Sequence, residues 1–510
     1  MTNVFPIGSD TSNGSNNMAI RLFGNRIYSD QSLYEYLIEF LLVFISPKSD
    51  DKQAGVMSFH DDSLTEKGFE YFVKPQMGLK RFIFYNRSKK DVKIPIDEKA
   101  YKEIILLMQT KIEESGVEHD KAESTIEAIQ DLLYGYAAVL KSRSWTAQSL
   151  LPIAPELIFC EAMINKKERI SLSKSVDVSE TDIEMKFDYK RHNFLARGGE
   201  VYYLHILQAL ESCPYEQKVR LEKLLKLLVT ANGSHFSKLA NWINDTWIDN
   251  QNIEVDKLWV KMKLGFIPST GYIGCGKRTI DELVNFLSCE MHPITRIELF
   301  SKGIVFQIMR MMCVRSSEYV NIPGYAWIVD MRAPKSGKSV MRISSESYRK
   351  IEELFVSAIN QMTNEYLDES ADLGIHNTPF EYLSDAKKHT LNMFKRLGKE
   401  MQLIIPLRGA QERFSLSEDL VKFIVLTIIK PQQKMTFDMF LEEVYSHYNI
   451  IIGAKQYKNY AKEKNIDIEQ ADAFYLNEKE FQLFLKNTGF LHDLSDATSI
   501  VVNPYSEVTI

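Results

Sequence analysis

Two strings carry the residue types of a phosphate-binding loop. GYIGCGKRT, from Gly271 to Thr279, has the spacing GxxxxGK. There, backbone N–H groups cradle phosphate oxygens and the lysine reaches the terminal ones. The position after Lys277 must hold a hydroxyl for Mg²⁺, yet Arg278 stands there and Thr279 comes one place late. The lead-in LGFIPST contains a proline and no clean apolar strand, although YAWIVD, ending at Asp330, has the form of the acid-terminated strand such a loop requires. A glycine-permitted turn opening a helix over 279–289 accounts for the string. The second string, RAPKSGKS from Arg332 to Ser339, ends in GKS, with Arg332 where the first glycine belongs. The residues after Ser339 read as extended, so a hairpin turn explains it.

Paired carboxylates with lysines occur at Glu184/Lys186 and Asp188/Lys190, with Asp177 and Asp182 upstream. In a metal-dependent nuclease the acids would hold Mg²⁺ and a lysine would help activate water. With charged residues at 25% of the chain, such triplets arise by composition, and the surrounding segment reads as a solvated surface. The His-Asp doublets at His60, His119 and His492 fall in turns, and HExxH and GxSxG are absent. No catalytic residue, metal ligand or cofactor is assigned.

The stronger signal is local basic charge. Lys80, Arg81, Arg87, Lys89, Lys90 and Lys93 surround Phe82, Phe84 and Tyr85 with only Asp91 opposing, an arrangement that on a strand suits phosphate contact and base stacking. Arg332, Lys335, Lys338, Arg342, Arg349 and Lys350 face only Asp330 and Glu346 in a region read as a hairpin able to track a DNA backbone. Lys455, Lys458 and Lys462 lie on one short helix with Tyr457 and Tyr460. Net charge is −6, so nucleic-acid contact has to come from such patches rather than from the chain as a whole.

The elements that must position these residues are mostly helical. The chain has 510 residues, enough for two to four domains, and 45% are hydrophobic, as in an ordinary globular protein. Residues 1–18 read as a flexible Ser/Asn/Gly-rich tail, 19–165 as an α+β domain, and 166–190 as a polar surface excursion. Residues 191–320 form a helical domain, 321–412 a hairpin with helices, and 413–510 a C-terminal module. Helices are expected at 31–45, 98–110, 123–140, 200–212, 215–231, 235–243, 279–289, 296–314, 345–362 and 380–397. Residues 69–96 are expected to be extended. The predicted class is mainly α, multidomain, with small β-hairpins. In the C-terminal module short helices closed by a hairpin fit a winged-helix-like plan or a plain helical bundle. Residues 415–505 carry nine Lys or Arg against thirteen Asp or Glu, a net of −4 that suits protein docking as well as DNA reading.

The apolar run Leu37–Ile45 contains Glu39 and is too short for a membrane span, and the opening residues lack a signal-peptide pattern. No membrane association and a cytoplasmic location are expected. Five scattered cysteines without CxxC predict free thiols.

The opening RLFGNRIYSDQSLYEYLIEFLLVFISPK and the closing FLKNTGFLHDLSDATSIVVNPY resemble accessory subunits of bacterial anti-phage systems of the Druantia or phosphorothioation-dependent restriction kind. The resemblance covers about a tenth of the chain and transfers no functional residue. It implies a non-catalytic subunit of a multicomponent DNA-directed system, with an ATPase or helicase as partner. Two alternatives stay open. One is an enzyme, either a divergent NTPase using Gly276 and Lys277 or a degenerate nuclease using Glu184 and Lys186. The other is a pure interaction scaffold.

Overall fold

A computed structural model describes residues 6–8, 17–24, 31–48, 57–59, 69–88, 95–140, 143–159, 198–231, 233–251, 259–267, 276–322, 324–332, 337–369, 378–465, 471–495 and 498–509. The fold is mainly α, with small two- and three-stranded sheets, and it divides into two compact units. One comprises residues 30–203 and 226–265; the other comprises residues 1–29, 204–225 and 266–510. The carboxylates of the nuclease-like string and residues 1–5 and 9–16 of the tail lie outside the described residues.

In the first unit, helix Leu33–Ile45 starts at a capping box, with Glu35 accepting the Ser32 N–H. Glu35 also forms a buried ion pair with Arg143. Glu39, the acid inside the apolar run, is buried and accepts the Gly199 N–H at 2.7 Å, so it caps the incoming helix Gly198–Glu211. Strand Phe69–Val73 pairs antiparallel with Val260–Gly265. The extended reading of 69–96 holds only for that strand, because Met77–Phe84 is helical. Gly78 brings this helix so close to helix Gly233–Gln251 that a Cβ would overlap the Trp247 side chain. Helices Pro95–Glu114 and His119–Tyr134 complete the layer, and the latter ends before the short strand Ala137–Val139.

In the second unit, helices Gly276–Leu287, Pro293–Tyr319 and Glu418–Ile428 pack on a Phe286–Phe300–Phe423 cluster. Gly303 admits the Phe423 ring. A buried polar hub ties this packing together. Glu282 accepts from Arg310 Nη1 at 3.1 and 3.2 Å, from Gln307 Nε2 at 2.7 Å, and meets His447 Nδ1 at 3.0 Å. Burial works to raise the Glu282 carboxyl, but the Arg310 guanidinium and the His447 and Gln307 hydrogen bonds outweigh it and hold it below the usual carboxylate range.

The region read as a hairpin at 325–344 is something else. Trp327–Ile328 is a strand, but it pairs in parallel with Ile450–Ile451, and Val329 bridges Phe414 in parallel on its other side. The supposed return strand is the start of a 33-residue helix, Gly337–Glu369. Helix Pro379–Glu400 follows, opened by the Thr378/Glu381 capping box.

The C-terminal region runs helix Glu418–Ile428, strand Lys434–Thr436, helix Phe437–Tyr448, strand Ile450–Ile451, helices Ala454–Glu463 and Ala473–Asn487, then strands Leu491–Ser495 and Thr498–Val502. The last strand lies between the other two of its antiparallel sheet, with Val501 opposite both Leu491 and Met435. Asn477, fully buried, joins helix Ala473–Asn487 to the parallel strands. It accepts the Met331 N–H at 2.7 Å and donates to the carbonyls of Val329 and Ile452, both at 2.9 Å.

Candidate nucleic-acid interface

The Gly337–Glu369 helix is held by its inner face. Val340, Ile343, Ser344, Ser347, Tyr348 and Ile351 are buried. Ser347 donates to the Ala326 carbonyl and accepts the Ile328 N–H, while Ser344 does the same with the carbonyl and N–H of Phe414. These serines satisfy strand edges that would otherwise be buried unpaired. Just upstream, Arg332 is exposed with a left-handed φ of 62°, and its N–H donates to Asp330, which is ion-paired to Arg413 at 2.8 Å.

The outer face carries Lys338, Arg342 and Arg349, all exposed, and none of the three is ion-paired to another described residue. They recur at helical spacing and form one stripe, with rises of about 6 Å and about 10 Å between successive cations at 1.5 Å per residue. The first turn of this helix contains no acid. Lys338, the cation of that turn, therefore adds to the positive end of the helix dipole instead of cancelling it, which costs on the order of a few tenths of a kcal/mol. The stripe edges a groove of about 840 Å³, lined also by Ser339, Ser345, Tyr348, Glu352, Gln411 and Glu412. Burial tends to raise the Glu412 carboxyl, but hydrogen bonds from Lys395, its own backbone and Lys399 prevail and bring it down to about 2. Lys395 and Lys399 thus neutralise Glu412, and Lys338, Arg342 and Arg349 are the groove's exposed cations.

Of the sequence-selected cations, Lys338 and Arg342 line this groove, Arg332 is exposed upstream of the helix, and Lys335 lies outside the described residues. In the cluster around residue 80, the described basic residues are taken up by the fold. Lys80 and Arg81 are fully buried. Lys80 donates to the Thr146 carbonyl, and Arg81 pairs with Asp97 at 3.1 Å and lies 5.4 Å from the Trp145 ring. Phe82, Phe84 and Tyr85 are core residues, and Arg87 pairs with Asp131 over Tyr134. Lys89 and Lys90 are outside the described residues. On helix Ala454–Glu463, Lys455 pairs with Glu442 at 2.6 Å and Lys458 contacts the Tyr475 hydroxyl at 3.3 Å, which leaves Lys462 exposed.

The near-miss strings resolve differently. At the first, Thr279 is buried against His205 at 3.3 Å, and Arg278 donates to the Ser446 carbonyl, so both side chains are spent on packing. At the second, Gly337-Lys338-Ser339 opens a helix after a parallel strand, which removes the objection that the following residues are extended. Arg332 still replaces the glycine. The adjacent parallel strands run on to Ser415 and to Ile452, neither of which is an acid able to hold Mg²⁺. Among the described residues, no group of three His, Cys, Asp or Glu could hold a metal. Cys213, Cys289 and Cys313 are free thiols; Cys160 and Cys275 lie outside the described residues. Among the described residues no helix is long and apolar enough to cross a membrane. The groove partner Glu412, with its two lysines, had no signal in the sequence, because it comes from a loop about 70 residues beyond Arg342. No protein-family model, curated protein or solved structure matches the chain.

Proposed function

We propose that the protein is a non-catalytic subunit of a multicomponent, DNA-directed system of the antiviral kind, contacting nucleic acid through the outer stripe of the Gly337–Glu369 helix. The observation that carries this reading is the rigid row of Lys338, Arg342 and Arg349, exposed and without ion-pair partners among the described residues. A cation that serves only the fold is normally paired or spread among acids; a row left open on a rigid helix suits phosphate contact. The packing of Arg278 and Thr279 supports the non-catalytic assignment over an NTPase at Gly276 and Lys277.

The C-terminal module supports a winged-helix-like reading, since helix, strand, helix and a closing hairpin surround a sheet in which the last strand is central. Its net charge of −4 and the pairing of Lys455 favour docking to a partner subunit, an ATPase or helicase, over groove reading. The test is recovery of the tagged protein from its native host with and without nuclease. Partners retained after nuclease, together with DNA lost by it, are expected. Recovery of neither, or Lys277-dependent ATP turnover by the purified chain, overturns the reading.

A further inference from the structure

We infer that the ligand of the 337–369 groove is the phosphate backbone of a nucleic-acid duplex, held across the rim without base reading; the inference rests on the nucleic-acid reading above. Three observations point there. The first is that none of the described residues lining the groove offers a stacking surface. Proteins that hold single strands stack bases on exposed aromatic rings. Tyr348, the aromatic residue lining this groove, is 2% exposed, and its hydroxyl donates to Glu352 at 2.9 Å.

The second observation is the exposure of the charges. Lys338, Arg342 and Arg349 are exposed, whereas Glu352 and Glu412, which line the same groove, are only partly exposed. A small phosphorylated ligand or a flexible strand entering the groove would bring its phosphates toward the Glu352 carboxylate, which has no cationic partner among the described residues. A rigid duplex lying over the groove would meet the exposed cations rather than the partly exposed acids. The third observation is rigidity. The cations stand on an uninterrupted helix pinned by Ser344 and Ser347, with about 16 Å of rise from Lys338 to Arg349. A straight, fixed row suits a stiff ligand whose phosphates are also fixed. It offers its three cations to the backbone.

The experiment uses the full chain and fluorescence anisotropy with a labelled 20-base-pair DNA duplex, the same sequence as an RNA duplex, and a 20-residue oligothymidylate, each over a range of salt. The duplexes should bind at least about tenfold more tightly than oligothymidylate, and two DNA duplexes of unrelated sequence should bind alike. The tighter of the DNA and RNA duplexes names the source. Lys338→Gln/Arg342→Gln/Arg349→Gln should lower the salt slope for the duplex by up to about 2.7 in log–log terms, at about 0.9 per phosphate contact. Glu352→Gln should tighten duplex binding only slightly, because the acid is only partly exposed. Oligothymidylate binding as tightly as either duplex overturns the duplex assignment while leaving the nucleic-acid reading in place. Absence of binding to all three probes overturns both. The glutamine variant's circular dichroism, unchanged from that of the parent, separates lost contacts from lost fold.

Discussion

Breaking the Glu282–Arg310 pair should be among the most damaging single changes in the second unit. Both side chains are almost fully buried, at 1% and 3% exposure, and Glu282 also receives Gln307 and faces His447. In Arg310→Met the carboxylate remains buried and loses its two guanidinium contacts. Removing one partner of such a pair costs about 3–5 kcal/mol. At about 1.4 kcal/mol per factor of ten, hydrogen exchange of the most protected amides in 276–287 and 293–319 should accelerate by about two to three and a half orders of magnitude. Exchange resolved by peptide is the appropriate assay, because a chain of two units has no single unfolding transition to fit. Replacing both Glu282 and Arg310 by Met should cost at least about 2 kcal/mol less than the sum of the single changes, since neither charge is then stranded. The depressed Glu282 carboxyl adds a pH signature. Its contribution is complete above the ordinary glutamate range and is lost as pH falls below that range toward the folded-state value. Glu282→Gln should therefore flatten the acid limb of stability for these helices. Strict additivity in the double variant, or an Arg310→Met cost under about 0.5 kcal/mol, would refute the account of the hub.

Gly199→Ala should destabilise the first unit by about 1–3 kcal/mol, because the added carbon would overlap the Tyr36 carbonyl oxygen; peptide-resolved hydrogen exchange of that unit checks this. Asn477→Leu keeps the volume but strands the Met331 N–H and two carbonyls, so protection at 327–331 and 450–452 should fall by about 2–4 kcal/mol in exchange experiments. Arg81→Met should leave Asp97 buried without its guanidinium and destabilise the first unit by about 3–5 kcal/mol, with no change in the salt slope of DNA binding. A slope reduced by Arg81→Met at full folding would restore the cluster around residue 80 as an interface.

Most helices were legible from periodicity. The expected helix at 380–397 is Pro379–Glu400, and that at 296–314 is Pro293–Tyr319. The failures share a cause. MGLKRFIF is rich in aromatic and branched residues and has no capping side chain, so locally it reads as strand. Its helix is selected by packing, with Gly78 seated on Trp247 and Arg81 reaching Asp97 sixteen residues away. GKSVMRIS misleads similarly. Its helical register becomes evident only over a longer stretch, where Val340, Ile343, Ser347, Ile351 and Leu354 line the buried side. The serines there are polar by composition, yet they sit in the core because two strand edges supply their partners. The basic stripe was partly legible: Lys338, Arg342 and Arg349 group together in the sequence, but were placed on a hairpin and stand on a helix. Glu412 and its two lysines could not be read, because their proximity is tertiary.

Counting cations by sequence window therefore misleads at an informative point: what distinguishes the clusters is where their compensating charges come from. Lys80 and Arg81 have sparse acidic neighbours in sequence, and the fold supplies a distant carbonyl and a distant carboxylate instead. Lys455 likewise receives Glu442 from the preceding helix. Lys338, Arg342 and Arg349 had the same chance and took no such partner, although Glu346 lies on their own helix, where it pairs with Lys350 instead. The nearby acid Glu412 is already engaged by Lys395 and Lys399. The neighbouring lysines thus occupy Glu346 and Glu412, and leave Glu352 and Glu353 as the nearby acids without a lysine partner among the described residues. Such an arrangement raises the local positive potential without adding a cation to the stripe itself, and in a chain of net charge −6 it concentrates attraction for phosphate at one face. Lys395→Ala/Lys399→Ala would free Glu412 toward Arg342 and Arg349. It should weaken duplex binding about as much as losing one rim cation, although neither lysine need touch the ligand.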